Sequence, residues 1–132
     1  MNIYFFFVII FLIIFLGIIF LFIFRKKKFS GDQTLRIARR IESTKNLDPE
    51  HSILKSHKIF VNSLNLLLNK KNLTAAQTIK FFSKRLPNIQ KIWYYHGLRN
   101  KIAHELDTKV SEEQAEYARK NFIFAIKSLE VV

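Results

Sequence analysis

The residue types that transfer protons and bind oxyanions are concentrated in residues 93–105. This stretch holds the only Trp of the chain, two of its four Tyr and two of its four His. On a helix, His96, Asn100 and His104 recur every four residues and form one polar stripe, with Arg99 beside Asn100. A polar stripe next to an apolar one requires either solvent or a partner surface.

A structural role explains the same residues without chemistry. His104 lies near the predicted end of a helix, where the helix dipole favours a cation. Arg99 is then an ordinary solvated side chain. An arginine and a histidine five residues apart also arise easily by chance in a basic sequence, so the spacing alone leaves both readings open.

Other kinds of site find little support. The chain has three glycines and no phosphate-cradling glycine loop, and it has no cysteine for a disulfide, a thiol nucleophile or a zinc site. His51 and His57 are six residues apart, and His96 and His104 are about 12 Å apart along a helix. Neither pair can hold one ion with ligand bonds near 2 Å. The sequence therefore predicts no metal and no cofactor.

The sequence on both sides of residues 93–105 predicts helices. Asp32 is a predicted N-cap, and Leu35, Ala38 and Ile41 follow at helical spacing in a short amphipathic helix that ends near residues 45–46.

Asp48, Pro49 and Glu50 combine a capping side chain, a proline at the first position and an acid in the first turn, which predicts a second helix start. We expect this helix to reach about Lys71. Its predicted buried stripe is Ile53, His57, Phe60, Leu64, Leu67 and Leu68.

Two further capping boxes are predicted, Thr74 with Gln77 and Ser111 with Gln114. The helix after Thr74 is expected to bury Ile79, Phe82 and Leu86 and to be ended by Pro87. Asn88 is a predicted cap for the next helix, with an inner face of Ile92, Tyr95, Ile102 and Leu106. The last helix is predicted to bury Ala115, Ala118, Phe122, Ala125 and Leu129.

These patterns predict an all-α protein with a small up-and-down bundle of four main helices, or five if residues 32–45 are counted. No segment alternates with the period of a strand. About 85 residues make a small core, so a homodimer is physically attractive.

The N-terminus predicts a transmembrane helix from Ile3 to Phe24. The run has no charged residue, and its 22 residues would span about 33 Å, enough for a hydrocarbon core of about 30 Å. A cleavable signal peptide would have a basic start and a shorter apolar run. A buried core helix would not be apolar on every face.

A basic cluster follows the span and sets its orientation: Arg25, Lys26, Lys27 and Lys28. By the positive-inside rule, the short N-terminus lies outside and the C-terminal domain lies in the cytoplasm. We expect residues 1–28 to be the cell-membrane anchor, residues 29–48 a linker with a short amphipathic helix, and residues 49–132 the helical bundle.

Positive charge continues beyond the membrane cluster. The net charge is +12, and residues 29–103 hold 14 Lys and Arg against 4 Asp and Glu. A basic surface beside a membrane is typical of binding to anionic lipid headgroups or to nucleic acid. A Lys-rich solvated surface is the alternative.

The segment from Arg99 to His104, Arg-Asn-Lys-Ile-Ala-His, resembles the Arg-polar-x-x-x-His signature of the HEPN superfamily of all-helical domains. Trp93, the run from His96 to Glu105 and the Ser-Glu-Glu-Gln-Ala start of the last helix together resemble small HEPN-like proteins of candidate-phyla bacteria. Many of those proteins carry one N-terminal membrane helix and then basic residues. The resemblance covers residues 49–130 and is most specific over 93–115.

The resemblance implies a dimer whose composite site cleaves RNA without a metal. His104 would exchange a proton with the ribose 2′-hydroxyl or the leaving 5′-oxygen, Arg99 would hold the scissile phosphate, and Asn100 would orient the pair. Where this group usually carries an acid in its second helix, the chain has Ser56, His57 and Lys58.

We therefore interpret the chain as a membrane-tethered HEPN-like domain that acts on or binds RNA. Many HEPN domains are inactive binding modules, so the alternative is a non-catalytic dimerisation or protein-interaction module. A third reading is a lipid-surface binder that uses the basic face.

Overall fold

A computed structural model describes residues 2–68, 70 and 72–131 of the chain. These residues form six α-helices and one short 3-10 helix, and no strand is present among them. The helices are α1 (Ile3–Ile23), α2 (Gly31–Glu42), α3 (Pro49–Leu66), α4 (Ala75–Phe82), α5 (Ile89–His104) and α6 (Glu112–Ser128), with the 3-10 helix at Ser43–Asn46. The predicted all-α class is confirmed.

Helix α1 stands apart from the rest of the fold. Its 21 residues include no buried side chain, and it is the one helix in the described part of the chain that is long and apolar enough to cross a membrane. Asn2 accepts a hydrogen bond from the backbone N–H of Tyr4 at its start, and Phe24 is its C-cap. A buried core helix does not fit this exposure. Helix α1 is a candidate membrane span that agrees with the predicted run from Ile3 to Phe24.

Hydrogen-bonded caps fix where most of the other helices begin. The predicted boxes at Thr74 and Ser111 are confirmed, because each side-chain oxygen accepts from the backbone N–H of the glutamine three residues on, and that glutamine's Oε1 accepts from the backbone N–H of the capping residue. Asp48 likewise accepts from the N–H of His51, with Pro49 at the first helical position. These signals are local in sequence, which is why they could be recognised without the fold.

The prediction of Asp32 as an N-cap is wrong. Ser30 caps α2, with Oγ 3.2 Å from the Gln33 nitrogen, and Gln33 Oε1 accepts from the Ser30 N–H at 2.9 Å. Asp32 lies in the first turn of α2, where a carboxylate still interacts favourably with the helix dipole.

Helix α3 is the centre of the core and packs against α2, α4, α5 and α6. The rings of Phe60 and Phe122 stack with centroids 4.9 Å apart across the contact between α3 and α6. Fully buried apolar side chains come from every helix of the bundle: Ile41, Ile53, Phe60, Leu64, Ile79, Phe82, Ile92, Phe122 and Ile126. The buried faces predicted for α4 and α6 are confirmed, and that of α3 is confirmed except at Leu67 and Leu68, which follow the end of the helix and are only half-buried.

A backbone clasp closes the bundle where the chain leaves the basic cluster. The Phe29 N–H donates to the Leu129 carbonyl at 2.9 Å, and the Val131 N–H donates to the Phe29 carbonyl at 2.8 Å. Phe29 is fully buried. Arg85 also donates from Nη2 to the Lys27 carbonyl at 2.7 Å. Residues 29–46 therefore pack into the same core as the later helices.

Several predicted positions differ from the structure near helix ends. Leu35 is half exposed, because the buried face of α2 is Thr34, Ile37 and Ile41. Leu106 is fully exposed, since α5 stops at His104.

Two helix ends also fall earlier than predicted. Helix α4 ends at Phe82, so Pro87 does not end it, although Leu86 is buried as expected. Helix α3 ends at Leu66, and its predicted end at Lys71 lies outside the described residues. Apolar periodicity continues through a turn that still faces the core, so it overestimates helix length.

Candidate functional site

Helix α5 carries all three predicted site residues, and the core fixes its orientation. Ile92 is fully buried and Tyr95 is 9 % exposed, with the Tyr95 ring 6.2 Å from that of Phe122 on α6. Asn88 precedes the helix but its side chain does not cap it. Its Nδ2 instead donates to the Asn121 carbonyl at 3.0 Å, tying the start of α5 to α6.

A chain of four polar side chains runs from the surface of α5 into the core. Arg99 Nη1 donates to Asn100 Oδ1 at 3.1 Å. Asn100 Nδ2 lies 3.3 Å from Nε2 of His96, and Nδ1 of His96 lies 3.0 Å from Nε2 of His57. Arg99, Asn100 and His96 are each half-buried, whereas His57 is 2 % exposed. The hydrogen bond between the neighbouring residues Arg99 and Asn100 is thus part of a larger connected network.

Burial keeps His57 and His96, the two histidines of this hydrogen-bond network, neutral. Desolvation, with smaller contributions from the charges of His96 and Arg99, lowers the pKa of His57 to about 3. Burial and the Arg99 charge also lower the pKa of His96. The rings are nearly parallel with centroids 5.1 Å apart. Neutral imidazoles can pair in this way because each offers one donor and one acceptor nitrogen.

The pairing of His57 with His96 is not predicted by the sequence analysis, because the spacing of histidines along one helix says nothing about a contact between α3 and α5. Its one available signal was a histidine in the middle of an apolar stripe, because a buried imidazole needs a hydrogen-bond partner. Asp, Glu and His side chains form no group of three or more that could hold a metal ion in the described residues. The contact between His57 and His96 is a hydrogen bond between the two rings.

His104 is not joined to this network. It is the last residue of α5, it is exposed, and within the described part of the chain its side chain makes no hydrogen bond or ion pair. Five residues along an ideal helix rotate the side chain by about 140° and raise it by about 7.5 Å. The structure thus joins Arg99 to Asn100, whereas His104 points away from Arg99 and its side chain is hydrogen-bonded to neither residue among the described residues of one copy of the chain.

Arg99 forms no ion pair with an Asp or Glu in the part of the chain that the structure describes. The ion pairs in the described residues are His51 with Asp48 and Lys120 with Glu116. The Nε of Arg99 is also buried without a hydrogen-bond partner there. An unsatisfied buried N–H costs about 1–3 kcal/mol. Arg99 is a half-buried cation that retains its charge and spare donors for an anion.

An exposed aromatic surface borders this site on α5. Trp93, Tyr94, Gly97, Leu98 and Lys101 line a shallow groove of about 280 Å³. Trp93 is 37 % exposed and Tyr94 is 59 % exposed. A methyl group built on Gly97 would meet no atom within 4 Å, so packing inside one chain does not require glycine there.

Comparison of the chain with protein-family models, with curated proteins and with solved structures finds no match.

Proposed function

We propose that this protein is a single-pass membrane protein whose cytoplasmic HEPN-like bundle cleaves RNA without a metal, through Arg99, Asn100 and His104 of two copies. The observation that carries the proposal is the state of Arg99. Its guanidinium is held by Asn100, has no acidic partner among the described residues, and is followed by an exposed histidine on the same helix. A fixed cation from one copy and a histidine from another suit phosphate-ester cleavage.

The membrane part of the proposal rests on α1 and on the residues that follow it. Helix α1 is apolar on all sides and unburied. The basic cluster from Arg25 to Lys28 follows directly and favours a cytoplasmic location for the bundle. Anionic lipid of the inner leaflet would attract the same cluster.

The chemistry needs no group beyond those on α5. The ribose 2′-oxygen attacks the phosphorus as His104 removes its proton, and the 5′-oxygen leaves with a proton from a second His104. The products are a 2′,3′-cyclic phosphate and a free 5′-hydroxyl. Arg99 balances the negative charge that builds on the phosphoryl oxygens in the transition state.

A second copy of the chain is part of the proposal. Arg99 and His104 of one chain point about 140° apart around α5, so a shared substrate would be contacted by residues of two chains. A small core and an exposed aromatic groove on the same helix support association of two copies. The basic surface supports RNA as the substrate.

The test is incubation of the full chain, purified in detergent micelles, with total cellular RNA in the presence of EDTA. We expect cleavage that leaves 2′,3′-cyclic phosphate ends and that disappears in His104→Ala. Matched His51→Ala, which removes an exposed histidine of α3, should cleave like the unaltered protein. Equal cleavage by the His104→Ala protein would assign the activity to a contaminant and overturn the proposal.

The groove on α5 favours one alternative function. Trp93 and Tyr94 are amphipathic aromatic side chains of the kind enriched in protein interfaces. A membrane-tethered module that dimerises or binds a protein partner would use this surface without chemistry. A stable dimer that cleaves no RNA, and that dissociates in Trp93→Ala, would support this alternative.

A further inference from the structure

We propose that His57 and His96 are positioning residues that hold Arg99 through Asn100. The hydrogen bonds run in one direction from Arg99 to His57, and the side chains of Asn100, His96 and His57 are uncharged. The inference deepens the proposed function, because it explains how the phosphate-binding guanidinium would be fixed. It names two residues outside the Arg-Asn-x-x-x-His motif. Both are linked to Arg99 by consecutive hydrogen bonds through Asn100.

The direction of the chain follows from the chemistry of its first member. A guanidinium has only donors, so the Asn100 atom that faces Arg99 at 3.1 Å must be the amide oxygen. The Asn100 amide nitrogen then faces His96, and Nε2 of His96, 3.3 Å away, must be the acceptor.

The same logic sets the tautomers of both rings. A neutral His96 that accepts at Nε2 carries its proton on Nδ1, and Nδ1 is the atom 3.0 Å from His57 Nε2. His57 must then accept at Nε2 and carry its own proton on Nδ1. No other assignment of the two neutral rings satisfies all three contacts.

Packing anchors the inner end of the chain. His57 belongs to α3, the central helix, and is 2 % exposed. Its ring makes an edge contact with Phe122 of α6, with centroids 5.9 Å apart. Its depressed pKa agrees with a neutral ring at physiological pH. The orientation of the Asn100 amide is thus fixed, through His96, by a buried side chain of the core and not by surface side chains.

The neutrality of the chain has a functional consequence. A carboxylate at the position of His96 or His57 would also orient Asn100, but it would offset the charge of Arg99. Neutral imidazoles orient the amide and leave the guanidinium fully cationic toward a phosphate. An arginine loses considerable side-chain entropy when it binds, and prior fixation of its position reduces that loss.

The first test reads the tautomers directly and needs no activity. Nitrogen-15 NMR of histidine-labelled full chain in micelles should show a bare Nε2 and a protonated Nδ1 on both His57 and His96. Asn100→Asp replaces the donor facing His96 by an acceptor, so Nε2 of His96 should gain a proton in that variant. A protonated His96 Nε2 in the unaltered protein, or an unprotonated one in Asn100→Asp, would overturn the proposed series of hydrogen bonds.

The second test asks whether the chain positions Arg99. His57→Gln keeps an acceptor near the place of Nε2, whereas His57→Leu removes it and preserves apolar packing. We expect NMR relaxation to show an ordered Arg99 guanidinium in the unaltered protein and in His57→Gln, and a mobile one in His57→Leu. His51→Leu, an exposed histidine on the same helix, is the matched control. Unchanged Arg99 order in a folded His57→Leu would overturn the positioning role.

Cleavage then separates this inference from the proposed function. If the protein cleaves RNA, His57→Leu should lower the rate at saturating RNA at least tenfold and His57→Gln should restore most of it. If the protein cleaves no RNA, the proposed function fails, while the tautomers and the order of Arg99 still decide the hydrogen-bond chain. Equal cleavage rates for His57→Leu and His57→Gln, with Arg99 ordered in both variants, would count against a positioning role for His57 and His96.

Discussion

Nε2 of His57 lies 3.0 Å from Nδ1 of His96, and this contact joins the centre of α3 to the middle of α5. The two residues are 39 positions apart in sequence. The contact ties α5, which carries Arg99 and His104, to the most buried helix of the bundle. A polar group of this kind is tolerated in a core because its partner satisfies it.

The His57–His96 pair makes stability depend on pH. The pKa of His57 is about 3 in the folded chain against an ordinary value of 6.5, so the unfolded chain binds the proton more readily. Stability should therefore fall as pH drops from about 6.5 toward 3, by up to about 1.4 kcal/mol per pH unit for this one proton. Urea unfolding across that range should show a shallower dependence in His57→Leu. Identical slopes would contradict a buried neutral His57.

The sequence analysis and the structure assign different N-cap residues to α2, and the stability of two variants can distinguish them. Ser30→Ala removes the side-chain acceptor of the capping box and should lower the free energy of unfolding by about 1 kcal/mol. Asp32→Ala removes only a favourable charge in the first turn and should cost about 0.5 kcal/mol or less. Denaturant titration of both variants in the same micelles measures the difference. The reverse order would restore Asp32 as the cap.

This contrast shows which parts of the fold the sequence could predict. The caps at Asp48, Thr74 and Ser111 depend on residues three apart, so they could be recognised from sequence alone. Ser30 meets the same criterion, because Gln33 lies three residues on and completes its capping box. Local capping chemistry is thus predictable when all of its members are considered.

The candidate site could be predicted only where its residues are neighbours on one helix. The stripe of His96 with Asn100 follows from a spacing of four, whereas the spacing places Arg99 next to Asn100 without predicting the hydrogen bond between their side chains. His57 is different, because its partner depends on how α3 packs against α5. A polar residue in an apolar stripe indicates that a partner exists, but it does not identify that partner.

The orientation of the proposed membrane anchor can be measured directly. A reporter enzyme that is active only in the cytoplasm, fused after Val132, should be active in cells. Replacing Arg25 to Lys28 with Gln should reduce or invert this orientation, because those charges determine it. Replacing Lys45 and Lys55, which lie farther along the chain, is the matched control and should leave it unchanged. Activity only of an exported reporter would contradict the proposed topology.

Association of two copies is the next prediction. Light scattering with the detergent mass subtracted should give twice the chain mass at micromolar concentration. Trp93→Ala, on the exposed groove of α5, should weaken the dimer, whereas Phe81→Ala, on an exposed part of α4, should not. A monomer that does not change with concentration would contradict a composite site.

The last prediction separates catalysis by Arg99 and His104 from a structural role. The side chain of His104 is exposed and without a hydrogen-bond partner in the described residues, so His104→Ala should change the free energy of unfolding by no more than about 0.5 kcal/mol.

Loss of a general base typically lowers a rate by about a hundredfold or more, so RNA cleavage should vanish in His104→Ala while the melting temperature stays constant. Arg99→Lys is the sharper variant for the other residue. It keeps the positive charge but cannot donate two parallel hydrogen bonds to a phosphate, so the rate should fall although salt-dependent RNA affinity is retained. If both variants instead lose stability and no RNA is cleaved by the unaltered protein, these residues support the fold or an interface. The interaction module would then be the function that α5 serves.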